Sequence, residues 1–277
     1  MVGRAPPTLV TSIDAAAQTV LERCGQPPRV AFLLGTGHAA LGEHLHDKVV
    51  IAPRELPGGV RFGGDAPLLA GRLAGLPVVL TGPSQPYCEG ATAEELALPV
   101  RVLRRLGADV LVLTAGVASL VEALAPGALA VLEDHVDASA THILRRPNDP
   151  ALGPRFLDQT EPYAAHLRTL AQDAARARGL ACPPAVLAAV PGPALPTRAE
   201  ARLLRLCGVD LVGMSLVPDA IVARHAGFAV LALTVVTQRL DTPASVPSML
   251  AAAERALPAL HDVLLGVAGL LAKGTSA

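Results

Sequence analysis

The 277-residue chain is 51% hydrophobic and carries a formal net charge of −1, so it has material for a large core and none of the charge excess that marks nucleic-acid or anionic-membrane binding. Aromatic residues make up 2% with no Trp, which leaves few rings for stacking on exposed bases. The four cysteines (Cys24, Cys88, Cys182, Cys207) form no Cys-x-x-Cys pair, so neither a disulfide framework nor a zinc site is expected and a cytoplasmic setting fits.

The first seven residues hold one Arg and no apolar segment, so no secretory signal is expected. No apolar run approaches the ~20 residues of a membrane-spanning helix, so no membrane association is expected either. Residues 29–34 form a short apolar run that ends in Gly35-Thr36-Gly37 and reads as a buried strand. Residues 52–67, rich in Pro and Gly, read as a loop, and residues 77–81 as a second strand. Thr92 and Glu95 have capping-box spacing and open a helix that runs to Leu106 and stops at Gly107. Strands follow at 109–114 and 128–132, then a loop at 145–150. An amphipathic helix over 161–178 stops at Gly179, and a strand covers 185–190. Thr197 and Glu200 form a second capping box, opening a helix that ends near Gly208. A strand at 210–213 leads to a helix from Pro218 to His225 closed by Gly227, then a strand at 228–236. Residues 246–272 are helical in pattern, with a kink expected at Pro258. Alternation of this kind predicts an α/β protein: a single domain over 1–277 with a central, mostly parallel mixed sheet flanked by helices.

The turn Gly35-Thr36-Gly37 lets the backbone approach an anion and supplies a hydroxyl, though taken alone it is better accounted for as a tight strand exit. The sixteen residues Val212-Gly213-Met214-Ser215-Leu216-Val217-Pro218-Asp219-Ala220-Ile221-Val222-Ala223-Arg224-His225-Ala226-Gly227 are more specific. They resemble, at nearly every position, the signature of the trimeric purine nucleoside phosphorylase and methylthioadenosine phosphorylase family. Supporting stretches occur in the family's order: Pro99 to Leu103 with Leu106-Gly107, Glu133-Asp134-His135, Pro147-Asn148-Asp149, Arg155-Phe156 and Gly192-Pro193. The resemblance runs from about residue 28 to 270.

The resemblance implies cleavage of a purine nucleoside by inorganic phosphate to base and ribose 1-phosphate, in a homotrimer. Phosphate is then the co-substrate, and neither a cofactor nor a metal is implied. Such catalysis is positioning plus electrostatics. On the residues that match, phosphate falls to Thr36 with Gly35 and Gly37, to the backbone at Gly116, and to Ser215. Ribose and base fall to Met214, Leu195, Gln238, Phe156 lent from a neighbouring copy, and Tyr87 or Cys88, between which one inserted residue leaves the register open. Glu89 and Gln238 are the catalytic candidates, Gln238 standing where the family places an Asn or Asp against the purine.

Several family residues are absent. The phosphate-site histidine has no match in Gly63-Gly64-Asp65-Ala66, and the arginine has none in Gly82-Pro83-Ser84-Gln85-Pro86. The amide of the central loop is missing from Thr114-Ala115-Gly116-Val117. Pro196 replaces the glutamate at the purine edge, and Val246 or Pro247 the histidine at the sugar hydroxyl. Arg239, Arg61 and His38 are cations near enough in sequence to substitute. The expected function is phosphorolysis in a divergent pocket. The alternative is a catalytically inactive family member that binds a nucleoside or purine, or serves as a partner subunit. His44 and His46 read as surface residues rather than metal ligands, His225 as structural, and Cys88 carries no mark of an activated nucleophile.

Overall fold

The computed structural model describes residues 8–35, 38–62, 66–85, 87–139, 141–243 and 245–274. The chain opens with α1 (Leu9–Cys24), capped by the Thr8 hydroxyl and closed by Gly25 in the left-handed conformation. After β1 (Val30–Leu33) come a helical turn, α2 (His38–Leu41), and an antiparallel run of β2 (His46–Ile51), β3 (Leu68–Leu73) and β4 (Leu76–Thr81). Then follow α3 (Ala93–Arg105), β5 (Val110–Ser119), β6 (Leu129–Asp137), α4 (Ala165–Arg176), β7 (Pro184–Ala189), α5 (Arg198–Leu206), β8 (Leu211–Gly213), α6 (Val217–His225), β9 (Ala229–Arg239) and α7 (Val246–Lys273).

The nine strands among the described residues lie in the order β2-β3-β4-β1-β5-β8-β7-β6-β9, and β9 also pairs with β5. The last five strands therefore close on themselves into a ring, and the first four extend from it as an open wing. Among the described residues five ladders are parallel (β1–β4, β1–β5, β5–β9, β6–β7, β7–β8) and four antiparallel (β2–β3, β3–β4, β5–β8, β6–β9). The sheet is thus mixed, with only a narrow parallel majority. Both predicted capping boxes form, at Thr92/Glu95 and Thr197/Glu200.

Side chains alternate across the sheet as the pleat requires. Ala31 and Leu33 of β1 join a core with Ile13, Val20, Val100, Leu103 and Ile221, beneath α1, α3 and α6. Val30 and Phe32 face the opposite core, with Leu167, Ala171, Leu260, Val263 and Leu264 of α4 and α7. The two helices of that second layer approach closely, because a Cβ at Gly266 would stand 2.8 Å from the Cβ of Ala174.

Two expectations change. The strands β2 and β3 were not anticipated, and β3 begins directly after the stretch read as a loop. Helix α7 continues past Pro258, 28 residues in all, and an 18-residue window within it, of mean hydropathy 1.4, makes it long and apolar enough to match a membrane-spanning helix by length and composition. That departs from the reading of the apolar runs alone. Ala252, Ala256, Leu260, Val263, Leu264 and Val267 of α7 are buried in the core, while Glu254, Arg255 and Asp262 are exposed on it.

Candidate functional site

The ring of strands brings separate loops together at one rim. Gly35, just past β1, donates its N–H to the Thr114 carbonyl (3.1 Å) and hydroxyl (3.0 Å). A Cβ at Gly35 would lie 3.1 Å from the Thr114 carbonyl oxygen, so glycine permits this approach. The Gly35 amide is therefore spent on β5 rather than offered to a ligand. Thr36 and Gly37, expected to complete the anion turn, lie outside the described residues. Two residues beyond Thr114, Gly116 is exposed on β5, opposite Val235 of β9. A ladder irregularity follows, after which Gln238, 4% exposed, pairs with Ala118.

Strand β8 runs antiparallel to β5, with Leu211 opposite Ser119 and Val212 opposite Ala118. Its exit therefore travels back along β5 toward Gly116, carrying Met214 and Ser215, both half-buried. Leu216 then takes a left-handed conformation (φ 73°), strained for a leucine, and α6 begins at Val217. Strand β7 is parallel to β8, and the Val190 N–H donates to the Gly213 carbonyl at 2.8 Å. This delivers Gly192 (φ 65°) onto Met214: a Cβ there would stand 2.5 Å from the thioether sulfur. Met214, Ser215, Gly192 and Gly116 are thus brought to one region by strand register.

Two cavities border this junction. One of 250 Å³ is lined by Gly35, Thr114, Gly116 and Thr237 together with Met249 and Leu250 of α7. The other, of 540 Å³, lies under the 190–197 loop and α5, with Gly192, Leu195, Pro196, Thr197 and Ala138 in its walls. Leu195 is 46% exposed, and Pro196 offers no side-chain acceptor to a purine edge.

Sequence reasoning missed a buried polar cluster behind Ser215. Asp219, in the first turn of α6, is 3% exposed, and its Oδ1 has no hydrogen-bond partner among the described residues. Burial pushes its carboxyl up to about 7, while the Ser84 hydroxyl and the Leu216 backbone pull it back down. Ser84 lies close enough to act on the carboxyl, yet its Oγ makes no well-formed hydrogen bond. Tyr87 is half-buried with its hydroxyl unpartnered, and burial, then Asp137 and Asp219, raise its pKa. Asp219 lies within the sixteen-residue signature and Ser84 stands where an arginine was expected. Those positions were the only signal, since burial cannot be read from residue identity.

The remaining candidates lie apart. Glu89 is exposed on the turn that carries Tyr87. Phe156 is 87% exposed, with the Arg155 guanidinium 5.5 Å from its ring centroid. Arg239 is engaged by Asp241 through its Nε (2.9 Å), so it is not a free replacement for the missing clamp. Arg61 is exposed, and the His38 side chain is outside the described residues. His135 is held inside by the Tyr163 hydroxyl at 3.1 Å, and burial lowers its pKa despite Asp134 and Asp137. Among the described residues no group of three or more His, Cys, Asp or Glu is placed to hold a metal.

Known proteins are similar to this chain in sequence and in fold. The Phosphorylase superfamily profile matches residues 29–268. Purine nucleoside phosphorylase 1 of Geobacillus stearothermophilus is 36% identical over 240 residues, covering 84% of this chain and 88% of that protein. Purine nucleoside phosphorylase 1 of Bacillus subtilis is 30% identical over 250 residues, covering 88% and 92%. Among solved structures, a schistosoma purine nucleoside phosphorylase in complex with hypoxanthine superposes with a TM-score of 0.90 at 26% identity, over 95% of this chain and 99% of that one.

Proposed function

Because this chain belongs to the purine nucleoside phosphorylase family, we propose that it cleaves the N-glycosidic bond of a purine nucleoside with inorganic phosphate. The observation that supports this best is the junction where the Gly192 loop docks on Met214 next to Ser215 and the exposed Gly116. In the reaction a phosphate oxygen attacks the anomeric carbon. The carbon–nitrogen bond breaks with its electron pair passing to the purine, which takes up a proton as it leaves.

Ser215, the Gly116 backbone and Thr36 hold the phosphate by hydrogen bonds. Met214 packs on the ribose face, and Tyr87 borders the sugar. The Gln238 amide donates to the purine as negative charge builds there, and Glu89 accepts at the sugar–phosphate side. Leu195 shields the base. The active form is a cytoplasmic homotrimer in which Phe156 reaches the pocket of a neighbouring copy. Its near-complete exposure in the single chain supports that role.

Charge-assisted contacts are worth roughly 1.5–3 kcal/mol each, so without the arginine and the purine-edge glutamate turnover is slower than with them. The test is phosphate-dependent release of base from inosine, guanosine and methylthioadenosine. The expected result is slow turnover that requires phosphate and rises in a Ser84→Arg, Pro196→Glu double variant. No release from any of the three at high enzyme concentration removes the reading.

A further inference from the structure

Arg101, in the middle of α3, is 5% exposed, and neither its Nε nor its Nη1 has a hydrogen-bond partner among the described residues. Burial pulls its pKa down to about 10 with Arg146 adding to the effect, and Asp149 and Glu94 oppose this only in part. Three of its arginine neighbours each have a carboxylate. Arg104 pairs with Asp109 at 2.7 Å, Arg105 with Asp14 at 2.6 Å, and Arg146 with Glu94 at 3.5 Å. Asp149 is turned to its own loop, accepting from the Ala151 N–H at 3.0 Å. Arg101 forms no ion pair among the described residues. An unpaired buried guanidinium is costly, and a counterion supplied from outside relieves that cost.

There is room for one. Arg101 forms part of the wall of a groove of 380 Å³ whose lining includes Arg104, Arg105, Ala151, Leu152 and Ala226 and no carboxylate. It also borders a smaller cavity with His225, whose Nε2 is taken by the Pro154 carbonyl at 3.1 Å. The groove sits at the far end of α6 from Ser215. The nine residues of that helix separate them by about 13 Å at ~1.5 Å per residue.

We infer that this groove is a second oxyanion site, separate from the Ser215 junction, which takes a phosphate or the phosphoryl group of a small monoester against Arg101. Arginines surround a compact oxyanion there, and the Ala151, Leu152 and Ala226 walls accept the carbon skeleton of a monoester.

Equilibrium dialysis with labelled inorganic phosphate tests it, because the number of bound equivalents separates the two sites. Arg101→Met keeps most of the side-chain length without the charge and loses one equivalent, while kcat/KM for phosphorolysis stays unchanged. Ala151→Glu changes an exposed residue, places a carboxylate in the groove and loses the same equivalent, which covers the case in which the Arg101 variant fails to fold. Displacement of that equivalent by glycerol 2-phosphate assigns the site to monoesters. Its retention assigns the site to free phosphate. If the proposed phosphorolysis is wrong and the Ser215 junction takes no phosphate, the total falls from one to none rather than from two to one. Equal binding by wild type and both folded variants, or displacement by chloride at the same concentration as by phosphate, overturns the inference.

Discussion

Replacing Asp219 with Asn isolates the energetic consequence of a carboxyl buried without a full set of partners. Its pKa rises from 3.8 in an unstructured chain to about 7 in the fold, chiefly through burial. Below pH 3.8 the group is protonated in both states and contributes nothing. Between that value and about 7 the folded protein keeps the proton and the unfolded chain loses it, so stability falls as pH rises. The slope is ~1.4 kcal/mol per pH unit, and above the folded pKa the penalty levels off at roughly 4 kcal/mol. Asparagine is neutral throughout and nearly the same shape, so the variant escapes the penalty. Urea unfolding of both proteins at pH 5 and pH 8, at one protein concentration, reads it. The stability difference, variant minus wild type, should increase by roughly 2–3 kcal/mol between the two pH values. Every other titrating group cancels in that difference. A difference that is the same at both pH values would refute the assignment of a raised pKa to Asp219.

Three further outcomes are expected. Gly192→Ala forces a left-handed alanine and sets a methyl against the Met214 sulfur. It should raise the nucleoside KM about 10-fold in steady-state assays, with ~1–2 kcal/mol of backbone strain. Thr197→Ala removes the hydroxyl that accepts from the Glu200 N–H and should cost about 1 kcal/mol in urea unfolding, while the residue-197 N–H goes on donating to the Glu200 carboxylate. Phe156→Ala, at a position 87% exposed, should leave the far-ultraviolet spectrum intact. It should raise the nucleoside KM by about 10-fold if a neighbouring copy uses the ring, and an unchanged KM would detach Phe156 from the pocket.

The elements easiest to read from sequence were those with two agreeing signals. Residues 92–106 combine a capping box, a helical apolar pattern and a terminal glycine, and α3 forms there. The stretch from Val212 to Gly227 gave a strand, a turn and a helix, and β8 and α6 occupy it. Strand β2 escaped because it is a sheet edge: His46, Asp47 and Lys48 are exposed, and the apolar alternation that marks a strand never develops. The helical pattern over 246–272 was legible, and α7 fills Val246–Lys273; what the apolar runs hid was its likeness to a membrane-spanning helix, because charged residues on its outer face interrupt them. At the site, sequence resemblance singled out Met214, Ser215 and Gly116 but not how they meet, which depends on the antiparallel register of β8 against β5. The glycine at position 35 was expected to face an anion, yet its amide is bound by Thr114. The unpartnered Oδ1 of Asp219 could not be foreseen, because its burial beside Ser84 is set by a segment far away in sequence.

The closed ring of β5, β8, β7, β6 and β9 bears on how such a site changes over time. An open sheet risks fraying or sticking to other chains when the segments at its border are altered, whereas each of these five strands is hydrogen-bonded on both sides. The segments that rise from the rim are therefore held at their bases by bonds that owe nothing to their own side chains. Such a frame can exchange a glutamate for Pro196 and still present its loops in the same places. Chemistry and architecture become separately heritable: the scaffold outlasts any one set of contacts, and a lineage can try new ligands without first losing its shape.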